Sequence, residues 1–279
     1  MGTSPSCALL GLFIAGCVAV PVSFGPAEAP LAGKRVKEEE VAAVAAVGKS
    51  RSEVVSSLGK PTMELREPRI LVYPWIERKA DWQILTVGGA GTVTAQEGWA
   101  LLVAFDDDGH VTHAGLVTLK LSEAINTVAR SWAEQRGIAS WPPETAFVAA
   151  SPPSGKALIY VLRTVPAVTL MTVLGAGSSW PLPVAVAIDG QYFSELDNQV
   201  YVAVTAEPGR HTLVADAVPP YRFVNAPHLP AALALDTRPN KVYFVELTCT
   251  SGTGSVDTTL TQKSEAEALA VVKDFRPAW

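Results

Sequence analysis

Helical spacing of apolar residues is the first regular pattern after an N-terminal apolar run. Over 35–47 apolar residues recur every three or four positions behind an acidic stretch, which predicts a helix with negative charge at its positive end. Ser50 and Glu53 have the three-residue spacing of a capping box and predict the start of a second helix. Gly59 and Pro61 predict its end, because glycine accepts the left-handed closing position and proline prevents continuation.

Strand patterns and one more helix complete the first half. Asp106–Gly109 has the composition of a tight turn between two strands. Ser122 predicts the cap of a helix that reaches Arg136 and has one apolar face. The predicted strands are 69–75, 81–87, 99–105 and 110–119.

The second half consists of short strand patterns separated by turn residues. They recur about every ten residues, a spacing typical of a β-sandwich. Ser264 and Glu267 again have capping-box spacing and predict a closing helix that reaches Phe275. Between the halves, two Pro-Pro pairs in 137–155 predict an extended, semi-rigid linker. The predicted strands are 157–165, 184–189, 200–206, 211–217, 231–235, 241–248 and 255–260.

The N-terminal apolar run, 7–20, is shorter than a bilayer-spanning helix and predicts the core of an export signal. No lysine or arginine precedes it, which departs from the usual positively charged start of such signals. Within the run, Leu12–Cys17 places a cysteine after two small residues. This stretch resembles the lipobox of bacterial lipoproteins. The resemblance implies that a signal peptide, 1–16, is removed and that Cys17 receives a lipid.

The residues after the lipobox-like stretch bear on where the protein is held. The segment 17–34 is rich in Pro, Ala and Gly without periodicity and predicts a flexible tether. An alternative cleavage at Ala27–Ala29 would give a secreted protein without lipid, but Pro30 directly after that site disfavours the cut. Because Val18 rather than aspartate follows Cys17, the resemblance implies a cell-envelope protein in the outer membrane, facing the periplasm.

A second resemblance covers much of the first half. The residues that carry it are Gly48, Ser50–Val54, Leu58–Pro61, Tyr73 and Val103–Val111. They are similar to the SmpA/OmlA family of small lipoproteins, which includes the BamE-type subunit of the outer-membrane β-barrel assembly machine. The resemblance implies a domain over 35–136 in which two helices pack on a three-stranded antiparallel sheet. The long stretch Glu77–Glu97 departs from the family, so the family's partner-binding surface is not carried over.

A third resemblance covers the second half. Its residues are Ala157–Arg163, Val186–Gly190, Tyr201 and Pro208–Leu213. They are similar to a bacterial family of unknown function that is found on lipoproteins and is related to PEGA-type β-sandwich modules. The expected fold class is therefore α+β. An N-terminal domain of two helices and a three-stranded antiparallel sheet would be followed by an all-β sandwich, 156–279, with a C-terminal helix.

Composition and charge narrow the possible functions. The net charge is −5 and 18% of the residues are charged, so the clustered basic residues that neutralise nucleic-acid phosphates are not expected. An apolar fraction of 48% is ample for folded cores. Cys249, the one cysteine after Cys17, is predicted to be a small buried residue rather than a reactive thiol.

No metal, cofactor or catalytic site is predicted. His110 and His113 are three apart on a predicted strand and therefore point to opposite faces. Asp106–Asp108 lacks the alternating ligands of a calcium loop. Gly48–Ser50 lacks the first glycine and the preceding strand of a phosphate-binding loop. Because no catalytic motif is found either, we expect a protein that is not an enzyme.

Aromatic residues are the remaining candidates for a binding surface. Tryptophan and tyrosine at strand ends or in loops are typical of interface hot spots, although each ring can equally fill a core. The candidates are Trp75, Trp82, Trp141, Trp180 and Tyr221. We expect a membrane-anchored envelope lipoprotein that acts as a non-catalytic interaction or assembly module with a protein partner. The alternative is a periplasmic binder of a small ligand or peptidoglycan fragment through the sandwich loops.

Overall fold

The computed structural model describes residues 18–24, 30–66, 69–86, 89–120, 123–138, 147, 149–164, 183–217, 228–251 and 256–278. Within these residues the chain is mostly β-structure. The strands are β1 (Val18–Phe24), β2 (Ala32–Gly33), β3 (Met63–Arg66), β4 (Arg69–Thr86), β5 (Gly89–Phe105), β6 (Val111–Leu119), β7 (Ala157–Arg163), β8 (Val184–Ile188), β9 (Gln191–Leu196), β10 (Val200–Ala206), β11 (Gly209–Asp216), β12 (His228–Leu229), β13 (Ala231–Thr237), β14 (Val242–Ser251), β15 (Val256–Lys263) and β16 (Arg276–Pro277).

Four helices accompany these strands in the described part of the chain. They are α1 (Glu38–Val44), α2 (Arg51–Leu58), α3 (Ile125–Glu134) and α4 (Glu265–Val271), and a 3-10 turn follows α4 at Val272–Asp274. None of these helices combines the length and the apolar composition needed to span a bilayer.

The strands form two mixed sheets. The larger sheet has the order β13-β11-β8-β9-β3-β4-β5-β6, and β1 and β2 pair with further stretches of β4. The smaller sheet has the order β12-β15-β14-β7-β10-β16. Buried residues of β7, β10 and β14 share one apolar cluster with buried residues of β8, β9 and β11, so the two sheets pack face to face in the second half.

The predicted fold class was wrong. The strands expected to form a separate N-terminal sheet belong to the larger sheet, which continues into the second half where Met63 of β3 pairs in parallel with Tyr192 of β9. Helices α1 and α2 have only seven and eight residues, and the described chain contains no domain of two helices and three strands. The sequence pattern predicted neither β3 nor β9. Both strands are short, and pairing between residues far apart in the sequence leaves no local signal in either of them.

Strand β4 is longer than its pattern predicted. A break was expected after Trp75, but one strand runs from Arg69 to Thr86. Pro74 lies between the stretch paired with β3 and the stretch paired with β2, so its missing N–H interrupts neither ladder on that side. The charged residues that follow are accommodated by a register shift after Arg78.

Residues 18–24 form strand β1, although the composition of 17–34 predicted a tether without regular structure. The strand is antiparallel to β4, with Val18 opposite Leu85 and Phe24 opposite Ala80. A proline normally argues against a strand, but here the register shifts directly after Pro21. An edge strand is held by backbone hydrogen bonds to its neighbour, and residue composition does not predict these bonds.

Both predicted capping boxes are confirmed. The Ser50 N–H donates to Glu53 Oε2 over 2.8 Å, and the Ser50 hydroxyl accepts from the Glu53 N–H. Ser264 and Glu267 repeat this arrangement at the start of α4. Gly59 ends α2 as predicted and has a positive φ of +88°, which favours glycine, but its ψ of −174° lies outside the left-handed helical region that the pattern predicted.

A buried polar network joins α3 to β9. Glu195 Oε2 accepts from the Ile125 N–H over 2.8 Å and so replaces a side-chain cap at the start of the helix. The Asn126 amide accepts from the Glu195 N–H over 3.0 Å and donates to Ser194 Oγ over 2.6 Å. The three side chains are almost completely buried. This network connects the residues on either side of the linker predicted at 137–155.

Candidate functional site

Trp75 is the one predicted surface aromatic whose side chain the structure describes. It is only 3% exposed, and its indole N–H donates to Glu77 Oε1 over 3.0 Å. The ring therefore belongs to the core and offers no exposed surface. Trp82 lies in β4, paired in register with Pro21 of β1 and Val93 of β5. The other predicted site residues lie outside the described residues: Cys17, Trp141, Trp180 and Tyr221.

A concave surface lined by aromatic residues lies beside β10. It is a groove of about 400 Å³, and among the described residues no charged side chain lines it. We call it the aromatic groove. Its aromatic residues are Tyr160, Phe193 and Tyr201, and its rim includes Ala150, Ser151 and Pro153.

The pairing of β7 with β10 creates this groove. Tyr160 on β7 and Tyr201 on β10 have ring centroids 6.0 Å apart, and Phe147 packs edge-on against both rings. Phe244 stacks on the other side of Tyr160, with centroids 5.4 Å apart. Aromatic pairs at these separations stabilise one another beyond simple burial, so the rings form a fixed array. Phe193 enters the groove from the core between the sheets.

Hydrogen bonding holds one side of the aromatic groove in place. The Tyr160 hydroxyl accepts from the Ala150 N–H over 2.8 Å and so fixes the rim segment. Burial, and then the neighbouring Tyr160, raise the pKa of Tyr201. The Tyr201 hydroxyl therefore stays protonated at neutral pH and can donate a hydrogen bond to a bound molecule. The arrangement is suited to binding a neutral, partly apolar group.

A second concavity of about 400 Å³ adjoins the groove at Thr205. We call it the charged pocket, and its charged or titratable residues are Lys156, Asp189, Glu207 and His211. His211 Nδ1 lies 2.7 Å from Asp189 Oδ2, and Nε2 lies 2.7 Å from the Glu207 carbonyl oxygen. Lys156 forms an ion pair with the Glu207 carboxylate.

The contacts of His211 indicate a structural role. Both of its nitrogens face acceptors, an arrangement that favours the protonated ring, in which both nitrogens donate. The hydrogen bond to Asp189 is the main cause that raises the pKa of His211, and the same bond lowers the pKa of Asp189. A ring with no free nitrogen cannot accept a proton from a substrate. The charged pocket therefore ties the β8–β9 turn to the β10–β11 turn.

Among the residues that the structure describes, Arg163 is the largest buried charged side chain. It is 1% exposed and donates from Nη1 to the Leu196 carbonyl, while Nε and Nη2 have no hydrogen-bond partner among the described residues. Burial lowers its pKa. Arg163 lines neither the aromatic groove nor the charged pocket, so we assign it no role in binding.

The described His, Cys, Asp and Glu side chains do not form a metal or thiol site. Among the described residues, no group of three His, Cys, Asp or Glu side chains is arranged to hold a metal ion. His110 is exposed, with Nδ1 3.9 Å from Asp106 Oδ1. The prediction of a buried Cys249 is confirmed, since the residue is 2% exposed and burial raises its thiol pKa to about 11.

Sequence reasoning did not find the aromatic groove. The sequence indicated Tyr160 and Tyr201 only as part of the family resemblance of the second half and predicted no binding role for them. Phe193 lies on β9, a strand that the sequence pattern did not predict. One sequence signal pointed to this region. Tyr160 lies in the middle of the apolar run Ala157–Arg163, and a buried tyrosine hydroxyl needs a hydrogen-bond partner from a neighbouring segment. Its partner, the Ala150 N–H, comes from the segment that the sequence predicted to be a linker.

Neither a family model nor a curated protein matches this chain.

Proposed function

We propose that the protein is a lipid-anchored protein of the bacterial cell envelope whose body acts as a non-catalytic interaction or assembly module. The lipobox-like stretch Leu12–Cys17 supports a lipid on Cys17, and Val18 supports an outer-membrane location facing the periplasm. The observation that carries the interaction role is the aromatic groove. Concave, largely apolar sites with a few polar groups are typical of binding sites, and tyrosine is frequent at interface hot spots.

Two further observations support a module without catalysis. The aromatic groove contains no charged or nucleophilic pair among its described residues. In the adjoining charged pocket, both nitrogens of His211 are already engaged by Asp189 and Glu207. A general base needs a free nitrogen within reach of the substrate, and this ring offers none.

The proposed partner is a protein of the envelope, with an outer-membrane assembly factor as the first candidate. The support is the similarity between the residues from Gly48 to Val111 and the SmpA/OmlA family. This is a similarity of sequence pattern, because the fold expected from that family is not present. The partner is therefore to be found by experiment, with the aromatic groove as its predicted docking site.

The test is affinity capture from detergent-solubilised envelope, using the full chain and its Tyr201→Ala variant. We expect the native chain to recover an outer-membrane assembly protein. Removal of a hot-spot tyrosine should reduce this recovery by roughly tenfold or more. Tyr243→Ala, a tyrosine variant outside the groove, serves as the control. Failure of the native chain to capture any such protein, or equal recovery with Tyr201→Ala, would contradict the proposal.

The second candidate function is binding of a small ligand or peptidoglycan fragment. The observation that favours it is the uncharged lining of the aromatic groove together with the protonated Tyr201 hydroxyl, which suit the apolar face and the hydroxyl groups of a sugar. The test is calorimetric titration with soluble muropeptides. Binding that Tyr201→Ala abolishes and Tyr243→Ala retains would support this candidate. No heat of binding at millimolar muropeptide would exclude it.

A further inference from the structure

The outer half of the β4–β5 hairpin forms a three-stranded ribbon with β1. We call it the hairpin ribbon and define it as 18–24, 80–86 and 89–95. Strand β6 pairs with β5 only from Gly98 onward, so in the described chain the ribbon has no fourth strand. At about 3.3 Å per residue, the part of β4 beyond Asp81 extends roughly 17 Å from the rest of the sheet.

Charge is distributed unevenly along this hairpin. The stretches 18–24, 82–86 and 89–96 contain no acidic or basic residue. The base of the ribbon carries a belt of ion pairs in contrast. They are Arg35–Glu77 at 3.0 Å, Arg78–Asp81 at 3.2 Å and Lys79–Glu97 at 2.6 Å. The belt marks the boundary between the charged base of the hairpin and its uncharged outer part.

The register divides the hairpin ribbon into two faces. Cross-strand partners share a face, which places Trp82 with Pro21 and Val93, and Ile84 with Ala19 and Gly91. All of these residues are apolar or glycine. The other face is mixed, because Gln83 pairs with Val20 and Thr92, and Leu85 pairs with Val18 and Ala90. We call the first set, listed here in full, the apolar ribbon face: Ala19, Pro21, Trp82, Ile84, Gly91 and Val93.

Strand β1 starts at the outer end of this ribbon, one residue after the proposed anchor in the sequence. Val18 pairs with Leu85, next to Thr86 at the outer end of β4. Cys17 directly precedes Val18, and consecutive Cα atoms are about 3.8 Å apart. A lipid on Cys17 would therefore draw the outer end of the hairpin, rather than another part of the body, to the membrane.

We propose that the apolar ribbon face rests on the phospholipid surface into which the Cys17 lipid inserts. The inference rests on the proposed lipidation of Cys17 and extends it, because a second contact fixes the orientation of the body. Trp82 is the residue type enriched at the level of the lipid headgroups. The ribbon lies at this interface and does not cross the bilayer, because unpaired strand edges in hydrocarbon would leave backbone groups without partners.

The test is lipid quenching of a fluorescent label on the full chain, purified from bacterial membranes. A bimane label is attached at Ile84→Cys, on the apolar ribbon face, or at Val47→Cys, which is 79% exposed and distant in sequence. Cys249 does not compete for the label, because burial raises its pKa to about 11. The protein is reconstituted in phosphatidylethanolamine–phosphatidylglycerol vesicles that contain brominated phosphatidylcholine. Mass spectrometry of the same sample reports acylation of Cys17.

The expected result is acylated Cys17 with at least about twofold greater quenching at position 84 than at position 47. Adding Trp82→Glu should lower quenching at position 84 and leave acylation unchanged, because a charge at the interface opposes contact. Acylated protein with equal quenching at both positions would overturn the ribbon contact while the proposed anchor stands. Unmodified Cys17 would overturn the proposed anchor, and the ribbon inference with it.

Discussion

The contacts of His211 couple the stability of the fold to pH at the scale of a single residue. Its pKa is raised above the ordinary value of 6.5, mainly by Asp189, whose own pKa is lowered below 3.8. A raised histidine pKa stabilises the fold at low pH, and this contribution is lost as pH rises through the raised value. A lowered aspartate pKa stabilises the fold above about pH 4 and is lost in acid.

The pair therefore stabilises the fold most between about pH 4 and 6.5. We expect His211→Gln to reduce the free energy of unfolding by about 1 kcal/mol at pH 5.5, a value kept low because Asp189 is partly exposed, and by less at pH 8.5. The measurement is urea denaturation at both pH values, with the exposed His113→Gln as the control. A cost that is the same at both pH values would show that the ion pair contributes nothing.

Tyr160 allows a matched test of the groove rim. Tyr160→Phe removes the acceptor from a part-buried hydrogen bond, in which the Ala150 N–H donates to the buried Tyr160 hydroxyl, and should cost about 1 kcal/mol. Tyr243→Phe removes an equally short bond of 2.8 Å from the Arg238 N–H, but that donor is exposed and water can replace the hydroxyl. Thermal denaturation of both variants should therefore show a larger loss for Tyr160→Phe. Equal losses would mean that the rim is not held by this bond.

At the scale of elements, Gly33 controls whether β2 can pair with β4. A Cβ at this position would overlap the Pro74 carbonyl oxygen, and φ is +74°. We expect Gly33→Ala to cost about 2–4 kcal/mol, because backbone atoms cannot move aside cheaply. Gly48→Ala separates strain from overlap, since Gly48 has φ +91° and open space around it, and should cost about 1 kcal/mol.

Hydrogen exchange gives the element-specific readout of these two glycine variants. The Leu31 N–H donates to the Ile76 carbonyl over 2.8 Å beside β2, and Gly33→Ala should accelerate its exchange. In Gly48→Ala the same amide should keep its protection. Loss of protection in both variants would indicate global destabilisation rather than a break in the β2–β4 ladder.

At the scale of the whole molecule, the network between α3 and β9 couples the two halves of the chain. Asn126→Ala leaves the buried Glu195 N–H and the Ser194 hydroxyl without this partner and should cost about 2–3 kcal/mol. Gln135→Ala, an exposed position at the other end of the same helix, should cost little. We expect the native chain and both variants to unfold in one urea transition, because β3–β9 pairing continues one sheet through both halves.

Hydrogen exchange in β5 and in β14 follows the two halves separately. In Asn126→Ala, protection in both strands should fall together and by the same free energy. Two separate transitions, or loss of protection confined to one strand, would show that the halves fold independently. That result would also support the domain division predicted at 137–155.

Local chemistry alone determined several parts of this protein. The Ser50–Glu53 and Ser264–Glu267 capping boxes, the glycine after α2 and the buried Cys249 follow from interactions within a few residues, or from the polarity of one side chain. The tertiary structure alone decided that β3 pairs with β9, that β1 pairs with β4, and that Tyr160, Phe193 and Tyr201 meet in one groove. The reason is that backbone donors and acceptors are the same at every residue. Which strands pair, and in which register, is settled by packing between distant segments.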